Sequence, residues 1–254
     1  MSKFDIGNGS IWLGDCLELM REIPDSSVDM VLCDLPYGTT ACKWDQVIPF
    51  EPLWEQYWRV CKPNAAVVLT ASQPFTSALV MSQVDKFKYE WIWEKSKASN
   101  FLQARKQVLK AHENVMVFSN SVTVYNPQMI VGKAFKGEGR SKKGAEWDGV
   151  NSVPNPTFRH DNKGVRFPRS VQYFKTAESE GKKQSWHPTQ KPVALFEYLI
   201  KTYTDEGMTV LDNCSGSGTT AVAAQRFGRR WIAIEKDPEY YIKSVGRLCG
   251  EVQQ

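Results

Sequence analysis

The stretch VDMVLCDLPY, residues 28–37, indicates the fold class of this chain. Its first six residues are mostly apolar, and a run of that length is typical of a buried β-strand. Asp34, Leu35, Pro36 and Tyr37 follow at the carboxyl end of this strand, where α/β proteins carry binding and catalytic groups. We therefore predict an α/β protein with a functional site at residues 34–37.

The tetrapeptide Asp34-Leu35-Pro36-Tyr37 offers three groups that suit one kind of ligand. Asp34 brings a carboxylate, the ring of Pro36 fixes the direction of the Leu35 carbonyl, and Tyr37 brings an aromatic face. Two acceptors and a stacking ring match a planar heterocycle with an exocyclic amino group. Because Asp-X-Pro-Tyr also forms ordinary turns, these residues alone leave a catalytic and a structural interpretation open.

A second motif lies near the other end of the chain, where the apolar strand MTVLD (residues 208–212) precedes NCSGSGTTA (residues 213–221). Gly216 and Gly218 allow the backbone to approach a ligand closely, and the start of the following helix offers free N–H groups to an anion. The apolar strand at residues 231–234 ends in Glu235, 23 positions beyond Asp212. A carboxylate about 20 residues along binds the ribose in nucleotide-binding βαβ units.

This second motif has two interpretations. Gly216-X-Gly218-X-X-Ala221 fits the dinucleotide fingerprint of dehydrogenases. However, Gly216 stands four positions after Asp212, a longer loop than a pyrophosphate turn needs, and little chain follows for a substrate domain. The pattern Asp-X-X-X-Gly-Ser-Gly-Thr-Thr is similar to the S-adenosylmethionine loop of methyltransferases. S-adenosyl-L-methionine is therefore the expected cofactor.

Taken together, the motifs resemble those of the β class of DNA amino-methyltransferases. The tetrapeptide resembles this family's catalytic motif, usually Asp-Pro-Pro-Tyr, and it precedes the cofactor loop, the order of a circularly permuted fold. Further matches are Gly14-Asp15-Cys16, His112-Glu113 and HPTQKP (residues 187–192). Leu35 departs from the family's proline, and Asn213-Cys214 replaces its usual Pro-Phe, which leaves packing around the methionine part of the cofactor in doubt.

The resemblance implies a Rossmann-like methyltransferase sheet that is mostly parallel and carries helices on both faces. It also implies three segments: a catalytic half at residues 1–120, a target-recognition insertion at 121–185, and a cofactor-binding half at 186–254. The catalytic residues would be Asp34, Leu35, Pro36 and Tyr37. The cofactor-binding residues would be Asp15, Cys16, Lys191, Asp212, Ser215, Gly216, Gly218, Thr219, Thr220 and Glu235.

The expected reaction is transfer of a methyl group to the N6 amine of an adenine flipped out of double-stranded DNA. Asp34 and the Leu35 carbonyl would accept the two amine protons and localise the nitrogen lone pair, while Tyr37 would stack on the base. Lys191 would meet the cofactor carboxylate. In this family an aspartate at the head of the tetrapeptide is more typical of adenine-N6 enzymes, and a cytosine-N4 enzyme is the alternative.

Two further functional classes have to be weighed. One is a methyltransferase that acts on RNA or on a protein amide. The basic middle of the chain and the Asp34 carboxylate disfavour the protein amide as substrate. The other is a DNA-binding module without catalysis, which the intact tetrapeptide and cofactor loop disfavour.

Residues 121–185 contain twelve lysine and arginine residues and six acidic ones, a net charge of +6, whereas the whole chain carries only +4. The segment is rich in Gly, Pro, Asn and Ser, which predicts loops. A basic loop region is suited to contact phosphates and base edges. The predicted DNA-binding residues are Lys133, Lys136, Arg140, Lys142, Lys143, Arg159, Arg166 and Arg169.

Composition narrows the remaining possibilities. With 42% apolar and 24% charged residues, the chain has the makeup of an ordinary globular protein, and we expect no membrane span and no signal peptide. Six scattered cysteines without a Cys-X-X-Cys pair predict neither a metal site nor disulfides and favour a reducing cytoplasm, bacterial or of a phage-infected bacterium. A homodimer and a cognate restriction endonuclease remain open as partners.

Periodicity and turn residues predict the secondary structure elements. The predicted strands cover residues 10–13, 28–33, 65–70, 87–93, 115–118, 207–211 and 231–234. The predicted helices cover residues 16–22, 51–61, 74–82, 191–204, 218–227 and 237–248.

Overall fold

The computed structural model of the protein describes residues 2–40, 42, 45–134, 163–179 and 189–252. In chain order the strands are β1 Ser2–Ile6, β2 Gly9–Leu13, β3 Val28–Asp34, β4 Cys61–Ala71, β5 Phe87–Ser99, β6 Lys110–Phe118, β7 Ile130–Val131, β8 Val165–Arg166, β9 Val171–Phe174, β10 Thr209–Asp212 and β11 Arg230–Glu235. The α-helices are α1 Cys16–Leu19, α2 Phe50–Val60, α3 Phe75–Met81, α4 Val193–Tyr203, α5 Thr219–Arg226 and α6 Pro238–Val252.

Nine of the described strands form one sheet in the order β1-β2-β11-β10-β3-β4-β6-β5-β9. The central strands β2, β11, β10, β3 and β4 are parallel to one another, and the β5–β6 hairpin adds antiparallel pairs at one side. The strands that carry the two predicted motifs, β3 and β10, are direct neighbours. Their carboxyl ends therefore meet at the same edge of the sheet.

The core lies on both faces of the sheet because successive side chains of a strand point to opposite faces. Along β3, Met30 and Leu32 pack with α4, α5 and α6, whereas Val31 and Cys33 pack with α1, α2 and α3. The strand is buried on both sides, which explains why its sequence reads as a nearly continuous apolar run rather than an alternating one. The predicted mostly parallel sheet with helices on both faces is confirmed.

Every predicted strand and helix is present, with ends that differ by a few residues. The predicted helix 16–22 is an α-turn followed by a 3₁₀ turn at Met20–Glu22. Two strands of the main sheet, β1 and β9, were not predicted. Both are edge strands without a buried residue, SKFDI and VQYF, so neither carries the apolar run of a buried strand.

The described residues divide into two compact units, one of residues 1–126 and 170–254 and one of residues 127–169. In the smaller unit, β7 and β8 pair antiparallel. Strand β9 lies within the predicted insertion, residues 121–185, but pairs with β5 of the main sheet. No helix among the described residues is both long enough and apolar enough to span a membrane.

The contact between β2 and β11 generates a stability prediction. A Cβ atom at Gly9 would lie 2.3 Å from the carbonyl oxygen of Trp231 and 2.2 Å from its ring. We expect Gly9→Ala to lower the free energy of unfolding by about 1–3 kcal/mol, because backbone and a buried ring must move. Gly246→Ala, on the exposed face of α6 with open space around it, is the matched control. It should leave stability unchanged or raise it by up to about 1 kcal/mol, as measured by urea denaturation.

Candidate active site

A groove of about 1030 Å³ lies in the larger unit at the carboxyl ends of the parallel strands. Twelve of the fourteen residues predicted as catalytic or cofactor-binding line it, from both ends of the chain. The other two do not line it: Gly218 is the N-cap of α5, and Thr220 is buried. The groove is therefore built from the residues of both predicted motifs.

The Asp34 carboxylate is held by several polar groups. The Tyr37 hydroxyl lies 2.7 Å from Asp34 Oδ1 and 3.0 Å from Thr70 Oγ1, and the Thr70 hydroxyl donates to the same Oδ1. Lys191 Nζ donates to Asp34 Oδ2 at 2.7 Å. Thr70 reaches Asp34 because β3 and β4 are parallel and place these two residues in register. The carboxylate thus has a fixed orientation at the floor of the groove.

A chain of alternating charges extends from Asp34 into the protein. Lys191 Nζ lies 3.3 Å from Glu113 Oε2, and Lys95 Nζ donates to Glu113 Oε1 at 2.9 Å. Burial alone would lower the pKa of Lys191, but the Asp34 and Glu113 carboxylates outweigh burial and raise it. Burial acts to raise the pKa of Glu113, yet Lys191 and Lys95 outweigh burial and lower it. Each buried charge therefore has a partner of opposite sign.

Lys191 was predicted to contact the carboxylate of the cofactor. In the structure the Lys191 side chain is 7% exposed, and its ammonium group is paired with Asp34 and Glu113. An ammonium group has three N–H donors, so one more contact is chemically available. The cofactor contact of Lys191 stays a prediction, while its contact with Asp34 is an observed feature of the groove.

The predicted cofactor loop, residues 213–218, is shaped by hydrogen bonds to two neighbouring carboxylates, those of Asp212 and Glu235. Glu235 Oε2 accepts from the Gly216 backbone N–H at 2.7 Å, so the carboxylate is in direct contact with the glycine turn at the groove. Asp212 Oδ1 accepts from the Cys214 N–H at 3.1 Å, and Oδ2 accepts from Thr220. Gly216 and Gly218 both have positive φ, at 50° and 73°. Glycine is favoured at both positions for this reason.

Other residues support the loop from behind. Arg247 of α6 is buried and donates to the Ser217 carbonyl oxygen at 2.9 Å. Tyr57 of α2 donates to Asn213 Oδ1 at 2.6 Å. Asn213 is one of the two departures from the family pattern in this loop, and the hydrogen bond from Tyr57 anchors its side chain. The Ser215 hydroxyl is buried at the groove and has no hydrogen-bond partner among the described residues.

Asp15 and Cys16 enter the groove from the N-terminal side. Asp15 caps α1 by accepting from the Leu17 N–H at 2.9 Å, and its other oxygen accepts from Lys236 at 3.0 Å. Asp15 is thus the N-cap of α1, and its contact with the cofactor stays a prediction. A hydrogen bond with Cys214 and burial both raise the pKa of the Cys16 thiol, so this side chain is neutral.

Sequence reasoning missed Thr70, Ser72 and Lys95. Thr70 and Ser72 stand at the carboxyl end of β4, directly after the apolar run at residues 65–69, which is the signal that could have identified them. The Ser72 hydroxyl is buried at the groove without a hydrogen-bond partner among the described residues. Lys95 carries no local signal, because only the tertiary fold brings it to Glu113.

The predicted DNA-binding residues fall into two groups. Lys133, Arg166 and Arg169 belong to the smaller unit and are exposed. The other five lie outside the described residues, as does His187 of the HPTQKP motif: Lys136, Arg140, Lys142, Lys143 and Arg159. The DNA contacts of all eight remain predictions.

A family model described as DNA methylase, of the N6/N4 methyltransferase type, matches residues 28–245. The chain belongs to the N6/N4 DNA methylase family. Among curated relatives of this DNA methylase, "DNA adenine methyltransferase YhdJ" of Escherichia coli (strain K12) is 28% identical over 251 residues. That alignment covers 92% of this chain and 81% of YhdJ.

Solved structures show the same fold. The PvuII DNA methyltransferase, described as cytosine-N4-specific, has a TM-score of 0.67 at 18% identity and covers 97% of this chain and 92% of its own. The M1.HpyAVI–SAM complex has a TM-score of 0.61 at 21% identity, with coverages of 94% and 98%. The predicted Rossmann-like methyltransferase fold of the DNA methylase is thereby confirmed.

The buried Asp212 generates a prediction about pH. Burial raises its pKa from 3.8 to about 7, despite hydrogen bonds from Thr220 and Cys214. Between these values the folded protein holds a proton that the unfolded chain has released, so the contribution of Asp212 to stability falls as pH rises. We expect the wild type to lose a few kcal/mol of unfolding free energy relative to Asp212→Asn from pH 4 to pH 7. A difference in unfolding free energy between the two proteins that stays the same from pH 4 to pH 7 would contradict this assignment.

Proposed function

We propose that this DNA methylase transfers a methyl group from S-adenosyl-L-methionine to the exocyclic N6 of an adenine flipped out of double-stranded DNA. The observation that carries the proposal is the fixed Asp34 carboxylate, which lies in the same groove as Gly216 and Glu235. The choice of adenine is supported by Asp34 at the head of the tetrapeptide and by the similarity to the adenine methyltransferase YhdJ. Cytosine-N4 methylation is the second candidate, and the similarity to the PvuII enzyme concerns the fold alone.

Asp34 and the Leu35 carbonyl would prepare the amine. The amino nitrogen of adenine is a poor nucleophile because its lone pair is delocalised into the ring. A carboxylate has about four acceptor positions, and Tyr37, Thr70 and Lys191 occupy three of them around Asp34. No described residue occupies the fourth position, which would accept a hydrogen bond from one amine N–H, and the Leu35 carbonyl would accept a hydrogen bond from the other. Because these acceptors are fixed before the base arrives, no reorganisation is needed during the reaction.

Tyr37 would receive the ring of the flipped base. Its hydroxyl is tied to Asp34, and its ring stacks on Phe75 with a centroid distance of 5.2 Å. Lys191 Nζ lies 5.4 Å from the Tyr37 centroid. A ring held at its edge and on one face keeps a defined orientation. Stacking on such a ring would offset part of the few kcal/mol that base flipping costs.

The groove residues fit S-adenosyl-L-methionine. Glu235 at the groove offers a carboxylate for the ribose hydroxyls, and the Ser215 hydroxyl is buried without a partner among the described residues. The turn at Gly216 presents backbone to the groove without a Cβ atom in the way. When bound, the cofactor supplies an electrophilic methyl group. Asp15, Cys16, Lys191, Asp212 and Thr219 complete the proposed cofactor-binding residues that line the groove.

The strand order supports the proposed circular permutation. The first strands of the chain pair with the last one, since β2 is the parallel neighbour of β11. The cofactor-binding strands β10 and β11 thus lie between β2 and the catalytic strand β3. In this arrangement two strands from the end of the chain, β10 and β11, are inserted in the sheet between two strands from its beginning, β2 and β3.

The decisive experiment is analysis of nucleosides from DNA that has been incubated with the protein and S-adenosyl-L-methionine. We expect N6-methyladenine, and modification mapping should give a defined recognition sequence. Asp34→Ala should abolish methylation while the dissociation constant for the cofactor stays unchanged, because Asp34 would act on the amine. N4-methylcytosine as the only product would establish the second candidate. No modified base at all would refute both.

Lys191 provides a separate test, because it either positions Asp34 or binds the cofactor carboxylate. If it holds Asp34, Lys191→Met should lower kcat about 100-fold with little change in the cofactor dissociation constant. In the double variant Lys191→Met/Glu113→Gln, the buried carboxylate that loses its cation in the single variant is replaced by a neutral amide. Its kcat and its cofactor dissociation constant should match those of Lys191→Met. A raised dissociation constant with a preserved kcat would instead favour the cofactor contact. Circular dichroism spectra establish that each variant is folded.

A further inference from the structure

The loop between β5 and β6, residues 100–109, is here called the rim loop. All ten of its residues are exposed, including two adjacent large apolar side chains: Phe101 is 66% exposed and Leu102 is completely exposed. Ser99, Asn100 and Phe101 also line the groove that holds Asp34. Two large apolar side chains thus stand in solvent at the mouth of the active site, where burial would normally be favoured.

The rim loop has a regular backbone. Asn100 takes a left-handed conformation, with φ of 68°, and starts a 3₁₀ turn at Phe101–Gln103. Backbone hydrogen bonds run from the Gln103 N–H to Asn100 O and from the Ala104 N–H to Phe101 O. The Lys106 and Gln107 N–H groups both donate to Gln103 O. Phe101 and Leu102 are therefore presented by a hydrogen-bonded turn at the end of the long β5–β6 hairpin.

The charge around this turn has one sign. From Lys95 to Lys110 the chain has five basic residues and no acidic one. Arg105 and Lys106, three and four positions beyond Leu102, are exposed. An apolar tip with basic neighbours matches a DNA duplex, whose base stack is apolar and whose backbone is a row of phosphates.

We propose that the rim loop is a wedge that enters the duplex beside the target base pair, with Phe101 and Leu102 filling the space that the flipped base leaves. The proposal rests on the proposed function, since it requires a base to enter the groove that holds Asp34. Phe101 would stack on the neighbouring base, Leu102 would occupy the gap in the stack, and Arg105 and Lys106 would contact phosphates. Apolar wedges of this kind stabilise unstacked base steps in other DNA-binding proteins.

The test uses Phe101→Ala/Leu102→Ala and two duplex oligonucleotides that contain the mapped methylation site. One duplex is fully paired, and the other has an abasic site opposite the target base, which lowers the cost of flipping. We expect the double variant to lose roughly tenfold to a hundredfold in kcat/KM on the paired duplex. On the abasic duplex most of this loss should disappear, and the dissociation constant for S-adenosyl-L-methionine should not change.

Met81→Ala is the matched control, because Met81 is 73% exposed, belongs to the same unit and does not line the groove. It should leave kcat/KM on both duplexes unchanged. An equal loss on the two duplexes, or no loss on either, would overturn the wedge. Sedimentation that shows a wild-type dimer dissociated by the double variant would assign the apolar tip to a second copy of the chain instead. Absence of methylation by the wild type would refute the proposed function, a result distinct from all of these.

Discussion

The ion pair between Asp34 and Lys191 joins two residues that are 157 positions apart in sequence. A buried ammonium group is costly unless carboxylates surround it, so Lys191 requires Asp34 and Glu113 to be close. The end of β3, the start of α4 and the β5–β6 hairpin must therefore come together as one unit. The same contacts that satisfy the buried charges also fix the orientation of the carboxylate that is proposed to receive the amine.

The cofactor loop follows a similar rule, in which polar groups behind the groove hold the groups that face it. Arg247 of α6 donates a hydrogen bond to the carbonyl oxygen of Ser217, and Tyr57 of α2 donates one to Asn213. Glu235 reaches across from β11 to the backbone of Gly216. Helices on both faces of the sheet thus converge on one short turn. A site built in this way is preorganised, and positioning is the main contribution that the protein makes to group transfer.

The rim loop adds a contrasting kind of feature. The groove residues are buried and paired, whereas Phe101 and Leu102 are apolar and exposed. Exposed apolar side chains next to a site mark the part of the surface where the substrate completes the packing. The active site of this DNA methylase is therefore proposed to include an outer element that acts on the duplex, separate from the inner element that acts on the amine.

The sequence by itself determined the strands β3 and β10, both glycine turns of the cofactor loop, and the tetrapeptide at residues 34–37, because apolar runs, glycines and local motifs are short-range signals. It did not reveal β1 and β9, whose edge positions need no apolar pattern. Only the tertiary structure decided that Glu113 and Lys95 extend the charge network around Asp34 and Lys191, since ion pairs between distant segments leave no trace in local sequence. The partners of a buried charge are set by which strands become neighbours, and that is a property of the whole sheet.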